Sequence, residues 1–400
     1  ALGEKGALEL SKNSSWKNLQ TLILSYNSIG DKGVTELCKN SVWKNIQTLD
    51  LENNCIHAEG AFELALNSCW INLQTLNLKA NSIGDKGAEA LSKNKNWKKL
   101  LVLDLESNSI GPEGAKELSQ NSSWTSLRSL LLMTNTIGGT GAAFLSQNMS
   151  WSSLNELDLK SNSINAQGAG ELSKNSSWKN LKTLNLSYNP IGAEGAILLS
   201  ENKTWINLEK LQLSYSSIGD KGFCALINNN KSWVNIETIE VENNFISEPE
   251  ILENSSWEKL KTLDLKGNTL NDKGIVSLCT NKFWKSLLEL SLPNNKIGAQ
   301  GAAELSQNNS WDTLQTLDLS SNSLGIEGTA YLSNNINWKN LKVLYLYNNA
   351  IGDSRSSFKG KVGSCFRNQL NVCIAKFDLW WDNALEFLTN RCHLKISSQI

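Results

Sequence analysis

The sequence predicts an α/β solenoid built from about thirteen copies of one 27-residue unit. Three observations predict it. Tryptophan recurs at 16, 43, 70, 97, 124, 151, 178 and 205, each 27 residues after the last, and again at 233, 257, 284, 311 and 338. Each unit opens with a short period-two apolar pattern, the mark of a strand with one buried face. An apolar spacing of three to four then follows, the mark of a short helix. A fixed period of this length means that each copy rests only on its neighbours.

Residues 70–96, WINLQTLNLKANSIGDKGAEALSKNKN, show one unit in full. Counting from Trp70 as zero, Leu73, Leu76 and Leu78 stand at +3, +6 and +8, and the last two define the strand. Asn81 at +11, Ile83 at +13 and Gly84 at +14 form the turn. Gly87, Ala88, Leu91 and Ser92 carry a helix of two to three turns, which Asn94 ends. The pattern LxxLxLxxNxIGxxGAxxLSxN resembles the leucine-rich repeat of the ribonuclease-inhibitor-like subfamily, over residues 1 to 351. The resemblance implies a curved horseshoe, with a parallel sheet on the concave face and helices on the convex face.

On that architecture the recurrent residues have physical roles. A buried Asn at +11 can bond backbone groups of adjacent loops; the column runs from Asn27 to Asn349, with Ser216 its single break. Gly at +14 permits a tight turn, and Gly-Ala at +17 and +18 lets neighbouring helices approach. Pro112 falls where a helix starts, a position that tolerates proline. The tryptophan column is expected to stack along one edge.

Composition narrows the function classes. Thirty-eight basic and 39 acidic residues give a formal net charge of −1, so neither nucleic acid nor an anionic membrane is an expected partner. No apolar run approaches the roughly 20 residues of a membrane span. The eight cysteines show no metal-ligand spacing; Cys38 and Cys279 fall at +22 as small buried residues, and reduced thiols in a cytoplasmic setting are expected. Asn-x-Ser sequons at Asn13, Asn121, Asn148, Asn175, Asn254 and Asn308 are explained by the repeat itself.

Taken in order, residues 1–15 match the second half of an earlier repeat, so a further N-terminal segment is expected. Repeats one to seven are regular. The two repeats spanning 205–256 are not: the first carries Ser216 and an extra residue near Asn228–Asn230, and the second is three residues short. That short repeat lacks the IGxxGA box, so its helix should be shortened or replaced. It is also acidic, through Glu237, Glu240, Glu242, Glu248, Glu250 and Glu253. A local change of curvature is expected there. Residues 1–351 form the repeat domain, and 352–400 break the pattern as a C-terminal cap, a partner-binding tail or a shifted reading frame.

Catalytic chemistry finds no carrier. His57 and His393 are the only histidines, and His57 takes a turn position. No Ser/His/Asp or Cys/His set can be assembled. The IGDKG boxes at 29–33, 83–87 and 218–222 lack the spacing and Ser/Thr of a phosphate loop. Cys365, Cys373, Cys392 and His393 are too scattered for a metal site. The chain is expected not to be an enzyme and to need no cofactor or metal.

The expected function is therefore a monomeric scaffold that binds a protein partner on its concave face. Strand positions +5, +7, +9 and +10 would carry the information, over an arc of roughly 60 Å. The +7 column is mainly acidic or amide, with Leu131 an exception. Leu131 and Met133 are expected as an exposed apolar centre, rimmed by Asp104, Glu106, Asp158 and Lys160. Tyr188 and Tyr215, at +10 of adjacent repeats, should stand side by side and extend the patch, with Tyr345 and Tyr347 a third site. The resemblance also allows the substrate-recognition part of a ubiquitin-ligase adaptor, or a secreted microbial effector acting in a host cytosol, since the GAxxLS boxes look like those of such effectors. A GTPase-activating protein is a further alternative, without that family's acidic tail.

Overall fold

The computed structural model describes residues 1–250 and 257–351. The cap, tail and reading-frame alternatives for 352–400 lie outside the described residues, as do Asn254 and Glu253. The chain divides into two compact units, residues 1–218 with 229–236, and 219–228 with 237 onward. The division falls in the two irregular repeats.

The first unit holds eight strands: β1 (Thr21–Ile23), β2 (Thr48–Asp50), β3 (Thr75–Asn77), β4 (Val102–Asp104), β5 (Ser129–Leu131), β6 (Glu156–Asp158), β7 (Thr183–Asn185) and β8 (Lys210–Gln212). Each pairs in parallel with the next, in register one repeat apart, so that Asp104 faces Leu131 and Leu131 faces Asp158. Its helices are α1 (Gly3–Ser11), α2 (Gly30–Cys38), α3 (Ala58–Leu66), α4 (Gly84–Ser92), α5 (Pro112–Ser119), α6 (Gly138–Ser146), α7 (Ala166–Ser173) and α8 (Gly192–Ser200). The second unit holds α9 (Gly219–Asn229), β9 (Thr238–Glu240), β10 (Thr262–Asp264), α10 (Asn271–Thr280), β11 (Glu289–Ser291), α11 (Ala299–Gln307), β12 (Thr316–Asp318), α12 (Gly325–Ser333) and β13 (Val343–Tyr345). Here too β9 to β13 are parallel and in sequence order. Among the described residues no helix lies between β9 and β10, and residues 251–256 of that stretch lie outside them.

The core is one layer repeated. In the fourth copy Trp97, Leu100, Leu103, Leu105, Ile110, Ala115 and Leu118 are all 0% exposed. Each large side chain contributes about 1.5–3 kcal/mol on burial. The expected edge stack of tryptophans gives way to an interior column. Eleven of them, Trp43 to Trp311, are fully buried, whereas Trp16 in the first copy is 46% exposed. Of the described pairs, Trp205 and Trp233 stack, with centroids 6.3 Å apart.

Two asparagine ladders satisfy the backbone inside this layer. At +11, Asn108 donates Nδ2 to the carbonyls of Leu78 and Glu106, and its Oδ1 accepts the Ile83 amide. The same pattern recurs from Asn27 to Asn349. Ser216 keeps part of it, donating Oγ to Leu186 and Ser214 at 3.3 Å. The second ladder, at +24, went unrecognised in the sequence, where Asn94 reads only as a helix end. Asn94 Nδ2 donates to Ala65 O at 2.7 Å, while its Oδ1 accepts the amides of Asn96 and Trp97. This role takes up the sequon residues. Asn121, Asn148, Asn175 and Asn308 are buried, with Nδ2 turned inward onto the preceding repeat, so a glycan has no amide to join.

Turns come in two forms, and from α2 to α8 they alternate. In α2, α4, α6 and α8 the first residue is a glycine with positive φ, as at Gly84 (φ 60°), a conformation that favours glycine. In α3, α5 and α7 the residue before the helix is extended, as at His57, Gly111 (φ −98°) and Asn165. An extended start exposes the first helical amides, and the preceding repeat caps them. Asp31 Oδ1 accepts the amides of His57 (2.7 Å) and Gly60 (3.0 Å). Asp85 Oδ1 does the same for Gly111 (2.6 Å) and Gly114 (2.9 Å). This contact leaves no room for a Cβ at Gly114, which would lie 2.6 Å from Asp85 Oδ1. Where the preceding repeat has Gly139 instead, Asn165 caps its own helix through Gly168. In the second unit Asp220 caps Ser247, and Asp272 caps Gly298. The Asp of the IGDKG boxes at 29–33 and 83–87 is thus a helix cap for the next repeat, while Asp220 holds a Ser247 that no described helix follows.

Candidate functional site

The strand face is shaped by a local rule. In seven repeats the +7 residue is Asp or Asn, and its Oδ1 accepts the amide two residues on. The bonds run from Glu52 to Asp50, Lys79 to Asn77, Glu106 to Asp104, Lys160 to Asp158, Ser187 to Asn185, Lys266 to Asp264 and Ser320 to Asp318, at 2.9–3.1 Å. The acidic column is therefore partly structural, since each strand is only three residues long and this bond holds the chain as it leaves. β5 is one of six strands without Asp or Asn there, with Ile23, Gln212, Glu240, Ser291 and Tyr345 in the others. Leu131 offers no acceptor, and among the described residues the Met133 amide has no hydrogen-bond partner.

Leu131 and Met133 are half-buried rather than exposed, a correction to the sequence reading. Both lie within a row of side chains that shield their flanks. Asp104 and Asp158 border Leu131 in register and are half-buried too. Burial pushes the Asp104 carboxyl up to about 6, opposed by the Glu106 amide and reinforced by the charge of Glu106. Burial also raises Asp158, opposed by the Lys160 amide and the Asn185 side chain, which donates to Asp158 Oδ2 at 3.0 Å. Among the described residues neither aspartate makes an ion pair; Lys79 lowers Asp104 only from a distance, and the nearby cations are engaged elsewhere. Lys79 Nζ pairs with Glu106 at 2.9 Å, and Lys160 Nζ lies 5.0 Å over the Tyr188 ring.

Tyr188 and Tyr215 do stand side by side, with centroids 4.4 Å apart and planes 14° from parallel. They are 47% and 42% exposed. They sit beyond the strand, in the turn, at φ 58° and 56°. Every described +10 residue from Tyr26 to Asn348 has this left-handed backbone, so these positions present side chains from the rim of the sheet rather than from its surface. Lys160, two residues after Asp158, contacts the Tyr188 ring, and Tyr188 stacks on Tyr215. Tyr345 and Tyr347 are half-buried at β13.

Other features singled out from sequence resolve differently. Three of the six glutamates of the short repeat are paired: Glu237 with Lys261, Glu242 with Lys266 and Glu248 with Lys273. Cys38 and Cys279 are partly rather than fully buried, and desolvation pushes both thiols up to about 12. His57 is exposed at the residue before α3, where Asp31 supplies the cap, with Nδ1 3.2 Å from Asp31 Oδ2. Among the described residues no group of three His, Cys, Asp or Glu could hold a metal ion, and no helix is long and apolar enough to cross a membrane.

Comparison with known proteins agrees with this geometry. A family model described as Leucine Rich repeat matches residues 17–38, 44–65, 71–92, 98–119, 152–173, 179–200, 258–279 and 313–333. No curated protein matches the sequence. The fold is similar to an internalin from Listeria monocytogenes, at 20% identity and a TM-score of 0.59, covering 93% of this chain and 94% of that one. A TDR receptor structure matches at 20% identity and a TM-score of 0.48, over 86% of this chain and 58% of that one. The matched segments run from just after the tryptophan to the end of the helix, taking in the strand and its buried Asn. By its repeated unit, its ladders and the eight segments that the family model matches, the chain is a leucine-rich-repeat protein.

Proposed function

We propose that the chain is a non-catalytic, monomeric scaffold whose strand face binds a protein partner, centred on Leu131 and Met133 and extended by Tyr188 and Tyr215. One observation carries the reading. At β5 the chain gives up the Asp or Asn that secures the neighbouring strands and places a leucine there, leaving the Met133 amide without its acceptor. By analogy with the amides held at β4 and β6, this amide opens to the strand face, where a partner's carbonyl can reach it. An apolar centre with a charged rim suits a binding hot spot. The helices of eight or nine residues in repeats one to seven support the ribonuclease-inhibitor-like form of the repeat. The five described cysteines are free thiols, which supports a reducing compartment such as a cytosol.

The test is affinity capture with wild type, Leu131→Glu/Met133→Lys and a helix-side control, Glu89→Lys. Circular dichroism verifies the fold of each. A protein captured by wild type and control but lost from the double variant supports the reading. Equal capture by all three removes the Leu131 row from the site.

A further inference from the structure

Resting on that reading, we propose that the partner presents an α-helix laid across β4, β5 and β6, with an apolar side chain on Leu131 and Met133 and a basic side chain on either side, one at Asp104 and one at Asp158.

The argument begins with charge. Asp104 and Asp158 flank Leu131 in register, are half-buried, and make no ion pair among the described residues, Lys79 acting on Asp104 only from a distance. The two cations within reach are spent, Lys79 on Glu106 and Lys160 on Tyr188. A carboxylate held out of water without a counter-ion is costly, and a cation brought by a partner removes that cost. The apolar residue between them excludes a uniformly polar segment.

Spacing then selects the helix. Adjacent strands lie about 4.8 Å apart, so Asp104, Leu131 and Asp158 mark steps of about 4.8 and 9.6 Å across the sheet. A helix rises about 1.5 Å per residue, so positions i, i+3 and i+7 on one face fall at about 0, 4.5 and 10.5 Å. An extended segment presents alternate residues at about 6.6 Å, out of step with the strands. The partner motif is therefore basic-x-x-apolar-x-x-x-basic on a helix.

Fluorescence anisotropy with synthetic peptides tests this. One stapled helical peptide carries Arg-x-x-Leu-x-x-x-Arg in an otherwise neutral sequence. A second has Glu at both Arg positions, and a third is the Arg sequence with a central proline in place of the staple. Binding partners are wild type, Asp104→Asn/Asp158→Asn and Leu131→Glu. The stapled Arg peptide should bind wild type, and at least about tenfold more weakly to either variant. Equal binding by the Glu peptide, or by the proline peptide, overturns the charge or helix assignment. If that binding is still lost in Leu131→Glu, the strand face stands as the site. Absence of binding by every peptide, or binding indifferent to Leu131→Glu, overturns the inference, and the capture experiment then decides the broader reading alone.

Discussion

Asp85 accepts the amide of Gly111 at 2.6 Å, so a carboxylate in one repeat closes the helix of the next. The same oxygen also takes the Gly114 amide, which makes Asp85 an N-cap supplied in trans along the solenoid.

Replacing that carboxylate should cost the usual value of a cap. Asp85→Ala is expected to destabilise the protein by about 1 kcal/mol, with amide exchange accelerated at the start of α5 rather than in α4. Urea unfolding and site-resolved hydrogen exchange measure both. Gly139→Asp alone should destabilise, because its Cβ would collide with the Asn165 side chain. In an Asn165→Gly background the same change should recover stability by moving the cap back to the preceding repeat.

The +11 ladder gives a graded series. Asn108→Ala removes two donors to buried carbonyls and the acceptor of the Ile83 amide. A loss of about 3 kcal/mol is expected, since buried unpaired groups cost about 1–3 kcal/mol each. Asn108→Ser should cost less, as the serine at position 216 keeps two of the bonds. Ser216→Asn should raise stability by about 1 kcal/mol. Thermal melts of the three variants rank them.

Leu131 should reverse the ordinary order of substitutions. Leu131→Asn restores an acceptor for the Met133 amide, worth about 1 kcal/mol, against a similar loss of half-buried apolar area. Its stability is expected within about 0.5 kcal/mol of wild type, while Leu131→Ala loses about 1 kcal/mol with nothing in return. Denaturant midpoints that place alanine above asparagine would sink the claim that this amide lacks a partner.

The pH dependence follows from the raised aspartates. Burial lifts Asp104 to about 6 and raises Asp158 and Asp264, so the folded state binds protons that the unfolded chain releases. Below the unfolded value of about 4 the effect on stability is fully favourable, and it is lost as pH rises through the folded value. Asp104 should thus make the protein about 1 kcal/mol more stable at about pH 5 than at about pH 7, after allowance for solvent screening. The charges of Glu106 and Glu52 add to the shift and Lys79 opposes it. Asp104→Asn should remove that part of the slope in urea midpoints measured at both pH values.

The strand, the helix and the +11 ladder were legible because each is written in every copy. Leu76 and Leu78 fix a buried face whatever surrounds them. The alternation of turns was not legible, because glycine serves both forms: Gly84 has φ 60° and Gly111 φ −98°. What separates them is Asp85, one repeat earlier, a relation that no local window contains. The tyrosine pair was legible as a pair from its spacing, but its place in the turn depends on a strand only three residues long. Leu131 stood out from its column by type. That it is half-buried, and that it leaves an amide unpaired, required the bond between Asp104 and Glu106 to be seen first.

The cap passed from Asp31 to His57, and from Asp85 to Gly111, has a consequence for how such a chain can lengthen. Between α2 and α5 the self-sufficient module is a donor of the cap together with its recipient. Excising one unit there would leave a carboxylate facing a helix that does not need it, or an extended start with nothing to close it. Excising or copying two adjacent units would leave every partnership whole. Growth and loss by pairs is therefore the step that this architecture tolerates, and a library of recombined repeats cut at the pair boundary should yield more folded members than one cut at the single tryptophan.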